Sequence, residues 1–152
     1  SEFGASLYMK IMYKKVAGIH PEVDFDKELA LWNTVIEANK KSLLKSAKDV
    51  NLGGIAISLA KMSVVGGYGV NANISLENSK DIFSETLSRA IVEVSPSKIE
   101  EFEELCETMK ISCNLLGEVT GNDIKINDIC TSLESAKDTY FNKFQRVIEQ
   151  DL

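Results

Sequence analysis

The sequence predicts an α+β domain with a mixed four-stranded sheet and helices packed on it, and three observations favour this class. Apolar residues recur every three or four positions in several stretches, which is typical of amphipathic helices. Short segments between these stretches alternate apolar and polar residues, as strands with one buried face do. One pair of strands is predicted to be joined by a tight turn and another by a helix, so the sheet should contain antiparallel and parallel neighbours.

Two helices are predicted at the start of the chain. The first covers about residues 5–16, and the second begins at Asp24 with acidic residues in its first turn, which complement the helix dipole. Trp32 belongs to an apolar stripe on the second helix and is expected to lie in the core. The lysine-rich segment 40–48 is expected to be helical too, with a solvated basic face. The stripe consists of Phe25, Leu29, Trp32 and Ile36.

The remaining elements follow from changes in periodicity and from turn residues. A third helix is predicted from about Gly53 to Val65, and a fourth follows Ser95 as its N-cap and Pro96 at its first position. The dipeptide Gly121-Asn122 predicts a hairpin between the last two strands. A final helix is expected to end near Gln150. The predicted strands are 70–74, 90–94, 115–119 and 123–129, and the last helix spans about 131–150.

Composition limits the possible partners. The chain has 152 residues, a hydrophobic fraction of 44%, a charged fraction of 26% and a net charge of −6, enough for one globular core. The acidic balance argues against nucleic acid or an anionic membrane as partner, because clustered Lys and Arg drive such binding. Without a long apolar run or a signal pattern, a cytoplasmic protein is expected.

The three cysteines do not suggest a disulfide framework or a zinc site. Their number is odd and no pair has CxxC spacing. We therefore expect Cys106, Cys113 and Cys130 to behave as small buried apolar side chains in a reducing compartment.

Two adjacent glycines stand directly before the third helix. Gly53 and Gly54 can adopt positive φ, so the chain can turn sharply and direct backbone N–H groups outward. The helix that follows has unpaired amides and a positive dipole end, so a phosphate or carboxylate could bind here. The alternative is that the two glycines only form a tight turn before a core helix.

Few residue patterns in the chain suggest catalysis. His20 is the only histidine and lies in a predicted turn, which leaves little basis for a nucleophile triad. The acidic run 100–104 points in several directions on its helix and is interpreted as a solvated face. Ser84 and Glu85 lie in a loop before a strand, with Arg89 nearby, and could contact a ligand. The alternative for this loop is a structural cap with Phe83 in the core.

Five segments, in this order, resemble the C-terminal domain shared by the aminoimidazole ribonucleotide synthetase superfamily, and within it the phosphoribosylformylglycinamidine synthase family. One departure from the family pattern stands before the glycine pair, where Leu52 replaces an acidic residue. The segments are Gly4-Ala5-Ser6-Leu7-Tyr8-Met9-Lys10, Pro21-Glu22-Val23-Asp24-Phe25, Asp49 to Met62, Phe83-Ser84-Glu85 and Leu116-Gly117-Glu118-Val119-Thr120-Gly121.

The resemblance implies a function for a larger protein. That protein would amidate formylglycinamide ribonucleotide in purine synthesis, using ATP, magnesium and ammonia from a glutamine amidotransferase subunit. This chain would supply one wall of the substrate cleft beside an ATP-binding-type domain, with residues 1–20 as a linker helix and 21–152 as the C-terminal domain proper. It would hold no cofactor and no catalytic or metal-binding residue itself. The substrate-binding residues implied are Asp49, Gly53, Gly54, Ser84 and Glu85.

Two alternatives remain open at this point. The chain could be a non-catalytic module in which the glycine pair binds a small anion or a partner. It could also belong to a sister enzyme of the same superfamily, although the Pro-x-Val-Asp entry to the second helix disfavours this.

Overall fold

The computed structural model describes residues 3–75 and 78–150, without the side chain of Ser79. It forms two compact units, and the boundary between them falls within the third helix. The first unit comprises Ser1–Ser58 and Asn78–Leu115, and the second comprises Leu59–Glu77 and Leu116–Leu152. The helices are α1 (Leu7–Tyr13), α2 (Phe25–Lys40), α3 (Gly54–Gly66), α4 (Ile99–Thr108) and α5 (Leu133–Gln150). The strands are β1 (Leu44–Asp49), β2 (Val70–Ala72), β3 (Ala90–Val94), β4 (Gly117–Val119), β5 (Asp123–Ile126) and β6 (Ile129–Ser132).

The first unit contains a two-stranded antiparallel sheet of β1 and β3, in which Lys48 lies opposite Ile91. Helices α2 and α4 contact each other, and Ala38, Leu43 and Leu105 form a buried cluster. The partly buried side chains of Leu44, Phe102 and Met109 pack against this cluster. Burial of these apolar side chains is the main force that holds the helices together.

Strand β1 replaces the helix predicted for residues 40–48, and that prediction was wrong. The chain leaves α2 after Lys40, Ser42 takes a left-handed conformation with φ of 56°, and the Leu43 N–H donates to the Ala38 carbonyl. This turn sends the next residues along β3, where strand pairing satisfies their backbone groups. Of the lysines that suggested a helical face, Lys45 and Lys48 lie on this strand, most of whose side chains are exposed.

The burial of Trp32 was also predicted wrongly. Its side chain is 58% exposed, and its indole N–H donates to the Glu28 carboxylate at 2.8 Å. The buried face of α2 is instead formed by Thr34 and Ala38, smaller residues on another side of the helix. Phe25, Leu29 and Ile36, the other members of the apolar stripe, are exposed as well.

The second unit contains a mixed four-stranded sheet, as the sequence predicts, with strand order β4-β2-β5-β6. One of its strands differs from the prediction: the predicted strand 90–94 is β3, which pairs with β1 in the first unit, and β6 is the fourth strand instead. Strand β2 is antiparallel to β4 and parallel to β5, and β5 and β6 are antiparallel. Its buried apolar side chains include Val70, Ala72, Ile124 and Ile126, which alternate with exposed residues along β2 and β5. This alternation places one face of each strand in the core.

The predicted hairpin at Gly121-Asn122 does not form, because β2 lies between β4 and β5. Gly69, just before β2, exchanges backbone hydrogen bonds with this connection: its N–H donates to Gly121 and its carbonyl accepts from Thr120. The hairpin of this sheet joins β5 to β6, where Ile126 pairs with Ile129 and Asn127 has a φ of 52°. Residues 127–128 therefore interrupt the strand predicted for 123–129.

The cysteine prediction holds for one residue of three. Cys106 is buried, whereas Cys113 and Cys130 are exposed, so their predicted burial was wrong. In the described part of the chain, no helix has the length and apolar character needed to cross a membrane.

Candidate functional site

Four of the five predicted site residues meet in the first unit, where two loops are hydrogen-bonded together. The glycine loop (residues 51–54) connects β1 to α3, and the Phe-Ser-Glu loop (residues 83–85) precedes β3. Gly53 and Gly54 have φ values of 85° and 67°, which glycine adopts without steric cost. Both glycines are buried. The two loops contact each other through backbone and side chain.

The backbone of the Phe-Ser-Glu loop lies directly against Gly54. A Cβ atom added at this glycine would lie 2.6 Å from the carbonyl oxygens of both Ile82 and Ser84. Only a residue without a side chain allows this approach, so the second glycine is required by packing as well as by its φ angle.

The amides of both glycines already have partners within the protein. The Gly53 N–H donates to Glu85 Oε1 at 2.8 Å, and the Gly54 N–H donates to the Asn51 carbonyl at 2.9 Å. The Leu7 N–H, in the first turn of α1, donates to the same Glu85 oxygen at 2.9 Å. A carboxylate that accepts backbone N–H groups forms charge-assisted bonds, which are stronger than neutral ones. Glu85 therefore links three segments that are far apart in sequence.

Ser84 is 2% exposed, and both its side chain and its backbone make hydrogen bonds within the protein. Its hydroxyl is 2.8 Å from the Thr86 hydroxyl, and its carbonyl accepts from Arg89 Nη2 at 2.6 Å. Arg89 also donates from Nε to the Thr86 carbonyl at 2.9 Å. The guanidinium thus holds the backbone of the loop in a fixed shape, a role that planar guanidinium geometry suits.

Phe83 stacks on Tyr8 of α1, with ring centroids 5.3 Å apart and planes 20° from parallel. The contact joins α1 to the Phe-Ser-Glu loop next to the Glu85 bond. Ser6 is buried at the start of α1, and its hydroxyl accepts from the Met9 N–H as an N-cap. The start of α1 therefore contacts the candidate site residues, which the sequence indicated only through its family-like motif.

Asp49 is set apart from the other four by its exposed side chain. It ends β1, and its carboxylate accepts from Lys48 Nζ at 3.1 Å and from Asn51 Nδ2 at 2.6 Å. The hydrogen bond from Lys48 is the main cause that lowers the pKa of the Asp49 carboxyl below its ordinary value. This side chain remains available to a ligand as an ionised acceptor.

Together these features define an α+β domain whose glycine loop and Phe-Ser-Glu loop are held together by one glutamate. The chain belongs to the family described as AIR synthase related protein, C-terminal domain, whose sequence model matches residues 1–128.

Relatives of known name share much of the sequence. The chain is 52% identical over 151 residues to the phosphoribosylformylglycinamidine synthase subunit PurL of a Nitratiruptor species. It is 49% identical over 152 residues to the protein of that name from Sulfurimonas denitrificans. The match covers 99% and 100% of this chain, respectively, but the chain spans about a fifth of the length of these relatives.

Solved structures of lower identity share the fold. The chain aligns with T. maritima PurL complexed with ATP at a TM-score of 0.66 and 17% identity, covering 90% of this chain and 24% of that one. It aligns with the structure of PurLQS from Thermotoga maritima at a TM-score of 0.67 and 17% identity, covering 88% of this chain and 24% of that one. At 17% identity, this structural similarity establishes the fold alone.

Proposed function

We propose that this chain is the C-terminal domain of a phosphoribosylformylglycinamidine synthase. The observation that carries the proposal is the identity of about one residue in two, over essentially the whole chain, to proteins of that name. The full-length protein would convert formylglycinamide ribonucleotide to the amidine with ATP and ammonia, as a ligase of purine synthesis in the cytoplasm. Its ammonia would come from a glutamine amidotransferase subunit.

The reaction divides into steps that need different groups. The amide oxygen of the substrate is first activated by phosphoryl transfer from ATP, and ammonia then displaces it. Phosphoryl transfer needs magnesium and well-placed positive charge. Within residues 3–75 and 78–150, no group of three or more His, Cys, Asp or Glu side chains could hold a metal ion. We propose that the preceding ATP-binding-type domain supplies the magnesium site.

The proposed role of this chain is to form one wall of the substrate cleft. Gly53, Gly54, Ser84 and Glu85 would fix the shape of that wall through the contacts between the two loops. Asp49 would present its exposed, ionised carboxylate to a hydroxyl of the ribonucleotide. Such an acceptor orients a ligand without taking part in the bond-making steps.

The contacts of Gly53 argue against the alternative of a simple anion-binding module. Its N–H group already donates to the Glu85 carboxylate, and a phosphate in the same place would meet a negative charge. The anion that accepts the Gly53 N–H in this structure is the Glu85 side chain, and the Gly54 N–H donates to the Asn51 carbonyl.

An assay of the full-length protein tests the proposed reaction. Supplied with formylglycinamide ribonucleotide, ATP, magnesium and ammonium, it should release ADP and form the amidine, whereas the 152-residue chain alone should not. A full-length protein that uses aminoimidazole-type or other superfamily substrates instead would support the sister-enzyme alternative. Amidine formation by the isolated chain would contradict the cleft-wall role.

A variant of Asp49 tests the proposed contact with substrate. In the full-length protein, Asp49→Asn should raise the KM for the ribonucleotide several-fold with little change in stability, because the side chain is exposed. Glu100→Gln, on the exposed face of α4, is the matched control and should leave KM unchanged. Equal KM values for both variants would remove Asp49 from the proposed site.

A further inference from the structure

Two cysteines line one small cavity at the end of α4, apart from the residues of the candidate site. The cavity has a volume of about 310 Å³. Cys106 belongs to the last turns of α4, and Cys113 follows the helix in a segment without regular structure. The residues that line the cavity are Glu103, Cys106, Glu107, Ile111, Ser112 and Cys113.

The backbone brings the second cysteine back to the first. After Thr108 the helix ends, and Lys110 takes a left-handed conformation with φ of 58°. The Ile111 N–H then donates to the Cys106 carbonyl at 2.9 Å, which folds the segment over the last turn of α4. This is the backbone pattern of a helix C-terminus closed by a left-handed residue. Two residues later, Cys113 reaches the same cavity.

The two thiols differ in their surroundings. Cys106 is 3% exposed, whereas Cys113 is exposed. Burial raises the pKa of the Cys106 thiol to about 11, and the neighbouring Cys113 thiol adds to this through its charge and a hydrogen bond. Both thiol side chains line the same cavity. The Cys113 sulfur can be reached from solvent, whereas the Cys106 sulfur is shielded from it.

We propose that Cys106 and Cys113 are a modification site at which a small neutral peroxide forms an intramolecular disulfide. The exposed Cys113 sulfur, as thiolate, attacks the peroxide oxygen, the O–O bond breaks, and sulfenic acid and water result. The Cys106 sulfur then attacks the sulfenic sulfur, loses its proton and releases a second water. One hydrogen peroxide is reduced to two waters while two thiols are oxidised to one disulfide.

The acidic side chains at the cavity select the oxidant. Glu103 and Glu107 line it together with the two cysteines. Their negative charge opposes an anionic oxidant such as glutathione disulfide, whereas hydrogen peroxide carries no charge and is not repelled. A neutral and compact oxidant is therefore preferred at this site.

Mass spectrometry of the oxidised chain tests the proposal. The chain is treated with hydrogen peroxide, unfolded, alkylated with iodoacetamide and digested. We expect a cross-linked pair of peptides containing Cys106 and Cys113, about 2 Da lighter than their sum, which dithiothreitol separates. Cys130 should be alkylated throughout, because it is exposed and not part of the pair.

Cysteine variants provide the controls. Cys113→Ser should abolish the cross-link, and Cys130→Ser should keep it; both residues are exposed, so neither change should prevent folding. A cross-link that includes Cys130, or sulfinic acid at Cys113 with Cys106 still open to alkylation, would overturn the proposal. Faster cross-linking by glutathione disulfide than by an equal concentration of hydrogen peroxide would overturn the assigned oxidant.

Discussion

The carboxylate of Glu85 accepts a hydrogen bond from the backbone N–H of Gly53 at 2.8 Å. The same oxygen accepts from the Leu7 N–H, so the start of α1, the glycine loop and the Phe-Ser-Glu loop meet on one side chain. The sequence suggested an external anion at the glycine pair, but the structure places an internal one there. We therefore expect the Glu85 side chain to contribute to the stability of the fold, which its position in a loop did not indicate.

Removal of this carboxylate should cost stability. Glu85→Ala would leave two partly buried N–H groups without their acceptor, and each such loss costs about 1–3 kcal/mol. For the two groups together we expect the free energy of unfolding, measured by urea denaturation, to fall by roughly 2–6 kcal/mol. Glu85→Gln keeps an acceptor oxygen and should recover part of the loss. Equal destabilisation by both variants would mean that the carbonyl of Gln cannot replace the carboxylate as acceptor.

Gly54→Ala should be severely destabilising. The new Cβ would lie 2.6 Å from the carbonyl oxygens of Ile82 and Ser84, and the residue would also retain its φ of 67°. Gly121→Ala is a matched control, because Gly121 has nearly the same φ of 66° but open space around it. We expect a loss of about 1–2 kcal/mol for the control, from left-handed strain alone.

The loss for Gly54→Ala should exceed that of the control by several kcal/mol, because backbone atoms cannot move aside as a flexible side chain can. Thermal or urea unfolding of the two variants measures the difference. Similar values would show that the Phe-Ser-Glu loop can retreat from the glycine loop at little cost.

The sequence predicted best those elements that carry their own boundary signals. Helix α3 begins within one residue of the prediction, because Gly53 directly precedes it and Gly54 is its first residue. Strand β3 ends before Pro96, which opens the next turn. Acidic residues 100–104 are exposed, as their scatter around a helix indicated. In these places local chemistry and the final structure agree, which is the usual condition for a reliable prediction.

The predictions from sequence failed where residues far apart in the chain determine the local structure. A glycine turn at 121–122 indicates a hairpin, but it does not reveal that β2, some fifty residues earlier, lies between the strands. Strand β1 has little apolar alternation because most of its side chains are exposed, so it carries no periodic signal. Likewise, the partners of Glu85 are backbone N–H groups. Every residue except proline carries such a group, so no residue type in the sequence identifies these partners.

Trp32→Ala should change stability little, contrary to what its position in an apolar stripe suggested. Because its side chain is 58% exposed, we expect a loss below about 1 kcal/mol. Leu43→Ala is the control: this side chain is 1% exposed within the cluster of the first unit, and its truncation should cost about 2–5 kcal/mol. Urea denaturation compares the two.

The fluorescence of the chain checks the placement of Trp32 independently. It is the only tryptophan, so all indole emission reports on it. An exposed indole should emit at long wavelength and be quenched efficiently by acrylamide in the folded protein. Blue-shifted emission with poor quenching would show that Trp32 is buried in the core. A loss of stability for Trp32→Ala as large as that for Leu43→Ala would show the same.

The buried thiol of Cys106 should make the stability of the reduced protein fall at high pH. Burial and the Cys113 thiol raise its pKa from 9.0 to about 11 in the folded state. The folded protein therefore retains a proton that the unfolded chain has lost between these values, so stability is complete below pH 9 and declines as the pH rises to about 11. A shift of this size corresponds to at most about 2–3 kcal/mol.

A comparison with Cys106→Ala isolates this contribution, since lysines and tyrosines that titrate in the same range are common to both proteins. With dithiothreitol present, the difference in the free energy of unfolding between wild type and variant should shrink from pH 8 toward about pH 11, because the variant has no thiol at position 106 to ionise on unfolding. A difference that stays constant over this range would show that the thiol ionises as readily in the folded protein as in the unfolded chain. In that case water would reach the Cys106 thiol in the folded protein. The proposed roles, with Cys113 as the exposed attacking thiol and Cys106 as the shielded resolving thiol, would then have no physical basis.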